Sequence, residues 1–112
     1  MKKSIKSALF ILLLCSQINL FGQRKKIDSL LNSFKIATQD TTRCDIYLKI
    51  GDFYMSDNPD TAFYYYNQCL KLADSKNIKK QKAKSLGDIG NLYWSQGNYD
   101  KAIEYHQSSL KI

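Results

Sequence analysis

Glutamate, histidine, tryptophan and proline each occur once in this 112-residue chain, as Glu104, His106, Trp94 and Pro59. With one histidine and one glutamate, there is no second base or paired acid near either for proton transfer or nucleophile activation. The aspartates scatter through helix starts and turns, where a carboxylate complements the helix dipole. Cysteine is scarce too (Cys15, Cys44 and Cys69), and no His/Cys/Asp group has metal-ligand spacing. Gly87, Gly90 and Gly97 lie in a helical pattern, not after a strand, so they do not make a phosphate loop. The longest apolar run, Ala8 to Cys15, is far shorter than the ~20 residues a bilayer span requires. These absences exclude catalytic, metal, cofactor and nucleotide chemistry as expectations, and point to a binding protein.

What is present begins with an export signal. Lys2, Lys3 and Lys6 precede the apolar run, and a more polar segment, SQINLFGQ, leads to Arg24-Lys25-Lys26. Basic, apolar, then polar with a small residue is the order of a secretory signal peptide. It is expected over 1–22, with cleavage after Gly22; an uncleaved anchor is the alternative. Leu12-Leu13-Leu14-Cys15 is a poor lipidation box, because Leu14 is not small. Removing 1–22 leaves 14 basic against 10 acidic residues, a net charge of +4. Much of the excess lies in Lys76 to Lys84, which holds five lysines. No aromatic residues interleave there to stack bases, so a solvated face is expected and nucleic acid is not.

The stretch from Leu86 to Leu110 organises the rest. Leu86, Ile89, Gly90 and Tyr93 share one helical face, Gln96-Gly97-Asn98 favours a turn, and Tyr99, Ala102, Ile103, His106 and Leu110 repeat the spacing. Gly97 suits a positive φ after a helix end. Gly90 and Ala102 are expected at a close helix–helix approach, with Tyr93 and Tyr99 filling the space around them and His106 as a packing residue. Tyr47, Ile50, Gly51 and Tyr54 repeat the first helix. Asn58 is expected to cap the next, with Pro59 at its first position. Ala62, Tyr66, Cys69, Leu70 and Ala73 then repeat the second helix of the pair. The first turn is one residue shorter and lacks the glycine. Ahead of both, Ile27, Leu30, Leu31, Phe34 and Ala37 or Ile36 mark a lead-in helix, and Asp40 or Thr41 is placed to cap the helix after it. Cys69 is expected as a buried free thiol, with a Cys44–Cys69 disulfide disfavoured because packed helix axes are ~8–10 Å apart.

This arrangement, with Ile89-Gly90, Tyr93, Gly97, Tyr99, Ala102 and Leu110, resembles the tetratricopeptide repeat (TPR). The resemblance implies an all-α fold of TPR-type helical hairpins stacked as an α-solenoid. The repeat is nearer 40 than the usual 34 residues, as in the longer variants of kinesin light chains. Expected boundaries are 23–40 for the lead-in helix and turn, and 41–112 for two hairpins, about 41–76 and 78–112. Because the pattern stops within a helix, truncation is expected, with further repeats or self-association at that end. Repeat packing is assigned to Tyr47, Gly51, Tyr54, Ala62, Tyr66, Leu86, Gly90, Tyr93, Gly97, Tyr99, Ala102 and Leu110.

By the same resemblance, the first helix of each repeat lines a concave face on which extended peptides dock. Its residues here would be Lys84, Gly87, Asn91, Trp94 and Ser95, with Asp45, Leu48, Asp52 and Met55 from the first repeat. For Trp94, a buried inter-repeat contact is the alternative. The expected function is an exported, non-enzymatic scaffold for a protein or peptide partner, in the periplasm or envelope of a bacterium. The other reading is the sensor segment of a longer histidine kinase or membrane-tethered transcription regulator.

Overall fold

The computed structural model describes residues 2–112, with side chains from Ile5 onward. Met1 and the side chains of Lys2 and Lys3, part of the basic start of the signal segment, lie outside the described residues. All described secondary structure is helical: α1 (Lys2–Ile36), α2 (Asp40–Tyr54), α3 (Pro59–Ser75), α4 (Lys79–Ser95) and α5 (Tyr99–Leu110). Each helix packs on the one before it, and α2 also touches α4. The result is an α-solenoid of two hairpins, α2/α3 and α4/α5, behind a lead-in helix. The molecule measures 63 × 38 × 15 Å, long and thin because much of α1 stands clear of the hairpins.

The segment expected to direct export and the lead-in helix form one continuous helix, α1. Ile18, Leu20 and Phe21 carry the apolar character beyond Cys15, so α1 is long and apolar enough to cross a membrane by length and composition. A signal sequence meets the same description. Only its C-terminal part packs on α2: Ile27, Leu30, Phe34 and the following Ala37 are half-buried, whereas Leu31 and Ile36 face solvent. Phe34 meets Tyr47 with ring centroids 4.7 Å apart, and Lys26 sits 5.7 Å from the Phe53 ring centre.

Asp40 and Thr41 do not cap α2. The capping position belongs to Gln39, whose side chain makes no capping bond, and Asp40 lies inside the first turn, 3.6 Å from the Arg43 guanidinium. Asn58 and Asn98 cap α3 and α5, each accepting at its side-chain oxygen from a backbone amide three residues on. Helix α4 ends in a Schellman turn. Gly97 has φ +78°, Asn98 N–H donates to Tyr93 O and Gly97 N–H to Trp94 O. Asn77, at φ 55°, closes α3 by the same pair of bonds, Ile78 to Ala73 and Asn77 to Asp74. The shorter first turn has no left-handed residue and closes with Asn58 N–H on Tyr54 O.

The core is Cys44, Leu48, Ala62, Tyr66, Cys69, Ala73, Ile89 and Leu92, drawn from α2, α3 and α4. Gly51 and Gly90 are where partner rings cross the helix. A Cβ on Gly51 would lie inside the contact distance of the Tyr66 ring, and one on Gly90 would be 2.9 Å from the His106 ring. The close neighbour of Gly90 is therefore an imidazole, not the backbone of α5. Three assigned packing residues are not in the interior: Gly97 is exposed in the turn, with open space around it, and Tyr99 and Leu110 are exposed as well. Tyr99 is exposed and packs edge-on against Trp94 with centroids 4.7 Å apart, because it begins α5 just past the end of α4. Leu110 is 86% exposed, because no described helix covers the outer side of α5.

Candidate functional site

The α2/α4 face is built from one short period in each helix. Asp45, Lys49 and Asp52 recur three and four apart on α2; Lys84, Asp88, Asn91 and Ser95 do so on α4. All are exposed except Asp88, which is half-buried. The side chain of Gln81, itself buried, holds the two helices in register by donating to Asp45 Oδ1 at 3.3 Å. Asp52 accepts from the buried Tyr66 hydroxyl at 2.7 Å, tying the α2 side of the face to the core. Lys84 reaches Asp88 at 3.0 Å along α4.

The face carries three carboxylates (Asp45, Asp52 and Asp88) against two ammonium groups (Lys49 and Lys84), and these charges are not equivalent. Burial pushes the Asp88 carboxyl above its ordinary range, partly offset by the Lys84 bond. For Lys84 burial works the other way, yet the bond to Asp88 and the nearby Asp52 leave the ammonium held above its ordinary value. Burial and then the bond to Asp52 push the Tyr66 phenol far upward, so it stays a donor. At the α1 side of the face, Lys26, Leu30, Lys49, Asp52 and Phe53 line a cleft of about 320 Å³.

Of the residues expected on this face, Asp45, Asp52, Lys84, Asn91, Trp94 and Ser95 are exposed. The Ser95 hydroxyl donates to Leu92 O within its own helix at 2.7 Å. Leu48 is a correction: it is 2% exposed, in the core with Ile89 and Leu92, and cannot meet a ligand. Met55 is half-buried against the same core. The physical reason is a lateral neighbour. Positions 48 and 55 lie on the flank of α2 toward α4, while 45, 49 and 52 face outward. Trp94 occupies the position of Met55 one repeat later and is 58% exposed. Lys49, Gln81, Asp88 and Phe53 were not anticipated. The Lys84–Asp88 spacing of four, and the Gln81, Ser85, Ile89, Leu92 stripe, carry the signal for two of them.

The remaining chemistry-bearing groups are structural. Cys44 and Cys69 are both free and fully buried, Cys44 Sγ lying 3.9 Å from Cys69 O and Cys69 Sγ 3.9 Å from Gln81 O. Burial pushes both thiols up. His106 is the half-buried ring against Gly90. In the lysine run, Lys76, Lys79 and Lys80 are exposed, and Lys82 pairs with Asp74 at 2.7 Å. Among the described residues no group of three or more His, Cys, Asp or Glu is placed to hold a metal ion.

Comparison with known proteins agrees with this architecture. The tetratricopeptide repeat family model matches residues 42–112, which cover α2 through α5 apart from its first residues. The chain is 26% identical over 96 residues to Tetratricopeptide repeat protein 29 of Trypanosoma brucei brucei (strain 927/4 GUTat10.1). That alignment takes in 85% of this chain and 20% of the relative, so the chain spans about a fifth of the relative's length. No solved structure matches the chain.

Proposed function

We propose that this chain, which belongs to the tetratricopeptide repeat family, is an exported scaffold that binds a protein or peptide along the concave face formed by α2 and α4. A repeat module of this kind acts by binding, not by catalysis. The observation that carries the reading is the two-helix face itself. Asp45, Lys49, Asp52, Lys84, Asp88 and Asn91 project from adjacent helices that Gln81 and Tyr66 hold in place. A surface fixed in this way loses little ordering entropy when an extended peptide lies on it, and its alternating charge suits a peptide of mixed polarity. Lys49 and Lys84 would meet acidic side chains, and Asp45 basic ones.

Selection of a random peptide library on the immobilised full chain tests this. Enriched peptides should shift the amide resonances of Asp45, Lys84 and Asn91, and Lys84→Ala with Asn91→Ala should weaken them at least tenfold. Binding that leaves those resonances unmoved would place the ligand elsewhere.

Export is part of the proposal. The basic start, apolar run and Gly22 predict that secreted material begins near Gln23; intact Met1 in the membrane fraction would overturn it. The continuity of the apolar segment with the lead-in helix within α1 favours a second reading, in which α1 stays in the membrane. The repeats would then be the periplasmic sensor portion of a longer bacterial kinase or tethered regulator. A kinase core or DNA-binding domain encoded after Ile112 is what that reading requires.

A further inference from the structure

The junction of α1, α2 and α3 contains a cationic cleft with an aromatic wall. It has a volume of about 480 Å³ and is lined by Phe34 from α1, Arg43 and Tyr47 from α2, and Gln68, Lys71, Leu72 and Ser75 from α3. None of its lining residues belongs to the α2/α4 face described above. Two of them are cations and none is an acid.

Arg43 is the centre of the argument. Its Nε is buried and has no hydrogen-bond partner, while the side chain as a whole is 38% exposed. Its one carboxylate neighbour, Asp40, approaches Nη1 at 3.6 Å, beyond the ~2.7–3.2 Å of an N–H···O bond. A guanidinium presents five donors in a planar fork that fits a carboxylate, and a buried donor left without an acceptor costs free energy. Its plane also lies near an aromatic wall: Arg43 Cζ is 5.9 Å from the centre of the Phe34 ring, which packs on Tyr47. Lys71 supplies a second cation across the cleft, and Gln68 an amide. Burial, with the neighbouring phenols Tyr64 and Tyr65, keeps the Tyr47 hydroxyl protonated and able to donate.

We infer that this three-helix cleft is a binding site for an organic carboxylate carried beside an aromatic or aliphatic group. Arg43 and Lys71 receive the carboxylate, and Phe34, Tyr47 and Leu72 cover the apolar part. Such a group can come from a free arylalkanoic acid or from a glutamate next to an apolar residue in a peptide.

The test is an NMR titration of the full 112-residue chain, labelled with ¹⁵N and held in a zwitterionic detergent. Three probes are used: 3-phenylpropanoate, N-acetyl-Glu-Phe-amide and its uncharged counterpart N-acetyl-Gln-Phe-amide. The expected result is saturable shifts at Phe34, Arg43, Tyr47, Gln68 and Lys71 with either carboxylate. The glutamine probe should bind roughly tenfold more weakly or worse, the loss expected when charge-assisted bonds are removed. Arg43→Gln should weaken the carboxylate probes by a similar factor, and Lys71→Gln by several-fold. Lys71 is exposed, so its variant tests the site even if Arg43→Gln perturbs folding. Tighter binding of the peptide identifies a protein segment as the source, and tighter binding of phenylpropanoate a free acid. Equal binding of the glutamine probe, shifts away from these residues, or no effect of Lys71→Gln would overturn the assignment.

Discussion

The two helical glycines of the last repeat have opposite roles, although the sequence presents them alike. Gly87 has open surroundings, since an added Cβ would meet only Ser109 Oγ at 3.8 Å. Gly87→Ala should therefore stabilise the fold by up to ~1 kcal/mol through helix propensity. Gly90→Ala gains the same propensity but drives a methyl into the His106 ring, and overpacking of this kind costs about 1–3 kcal/mol. Thermal unfolding of the two variants should move in opposite directions; a rise for both would mean the imidazole swings aside without cost. Tyr66 makes a second residue-level prediction. Tyr66→Phe deletes its hydroxyl bond to Asp52, and a loss of about 1–2 kcal/mol in denaturant unfolding is expected because Asp52 can rehydrate. The thiols of Cys44 and Cys69 and the phenol of Tyr66 all have folded-state pKa values raised above their ordinary ones. Their contribution to stability is complete below the unfolded-state pKa and falls as pH rises past it, so alkaline unfolding should set in from about pH 9. A flat stability profile from pH 8 to 11 would contradict this.

Helix α4 has a poorly prepared start. It begins Lys79-Lys80-Gln81-Lys82 with no acid in its first turn, and its capping residue, Ile78, offers no side-chain acceptor. Positive charge there opposes the helix dipole. Lys79→Asp should raise stability by ~0.3–1 kcal/mol, more at low than at high salt; an unchanged melting temperature in low salt would indicate that Lys82 and Asp74 already neutralise this end. Helix existence and pairing were legible in the sequence because small and aromatic residues recur at fixed offsets: Gly51 with Gly90, Tyr54 with Tyr93, and Ala62 with Ala102. The chain's period shows which residues share a face, but not which flank of that face a neighbour covers. Leu48 shares the broad stripe of Asp45 and Asp52, yet α4 packs over it. The left-handed turn at Asn77 was missed for a different reason. Asparagine signals that conformation far less strongly than the glycine at 97.

Across the whole molecule, the two hairpins are unequal partners in one design. Met55, Phe63 and Leu70 on the first are packed against the core, whereas their counterparts Trp94, Ile103 and Leu110 are 58%, 50% and 86% exposed. Phe63 meets Tyr93 edge-on at 5.9 Å, a contact that Ile103 has no described partner to repeat. Exposed apolar side chains at this end predict self-association of the isolated chain. A Trp94→Lys, Leu110→Lys double variant should sediment as a smaller species at high concentration with little loss of stability. Equal sedimentation of parent and variant, both monomeric, would show that the face is tolerated in water. The candidate binding face was legible only in outline, since Asp88 and Gln81 matter through contacts between helices that no single period displays.

If the proposed cleavage after Gly22 takes place, the continuity of α1 gives it a mechanical side effect. A cut after Gly22 turns Gln23 to Lys26 from mid-helix residues into a raw helix start, with an α-ammonium and three cationic side chains crowded at the positive end of the dipole. That turn should unravel toward Ile27, the first residue anchored on α2, and Lys26 would leave the Phe53 ring. Maturation would then open the cleft of Lys26, Leu30, Lys49, Asp52 and Phe53, coupling arrival outside the cell to exposure of a binding edge. Hydrogen exchange at residues 24–27 should accelerate sharply in the processed chain relative to the precursor; equal protection in both forms would show that the cut end stays wound.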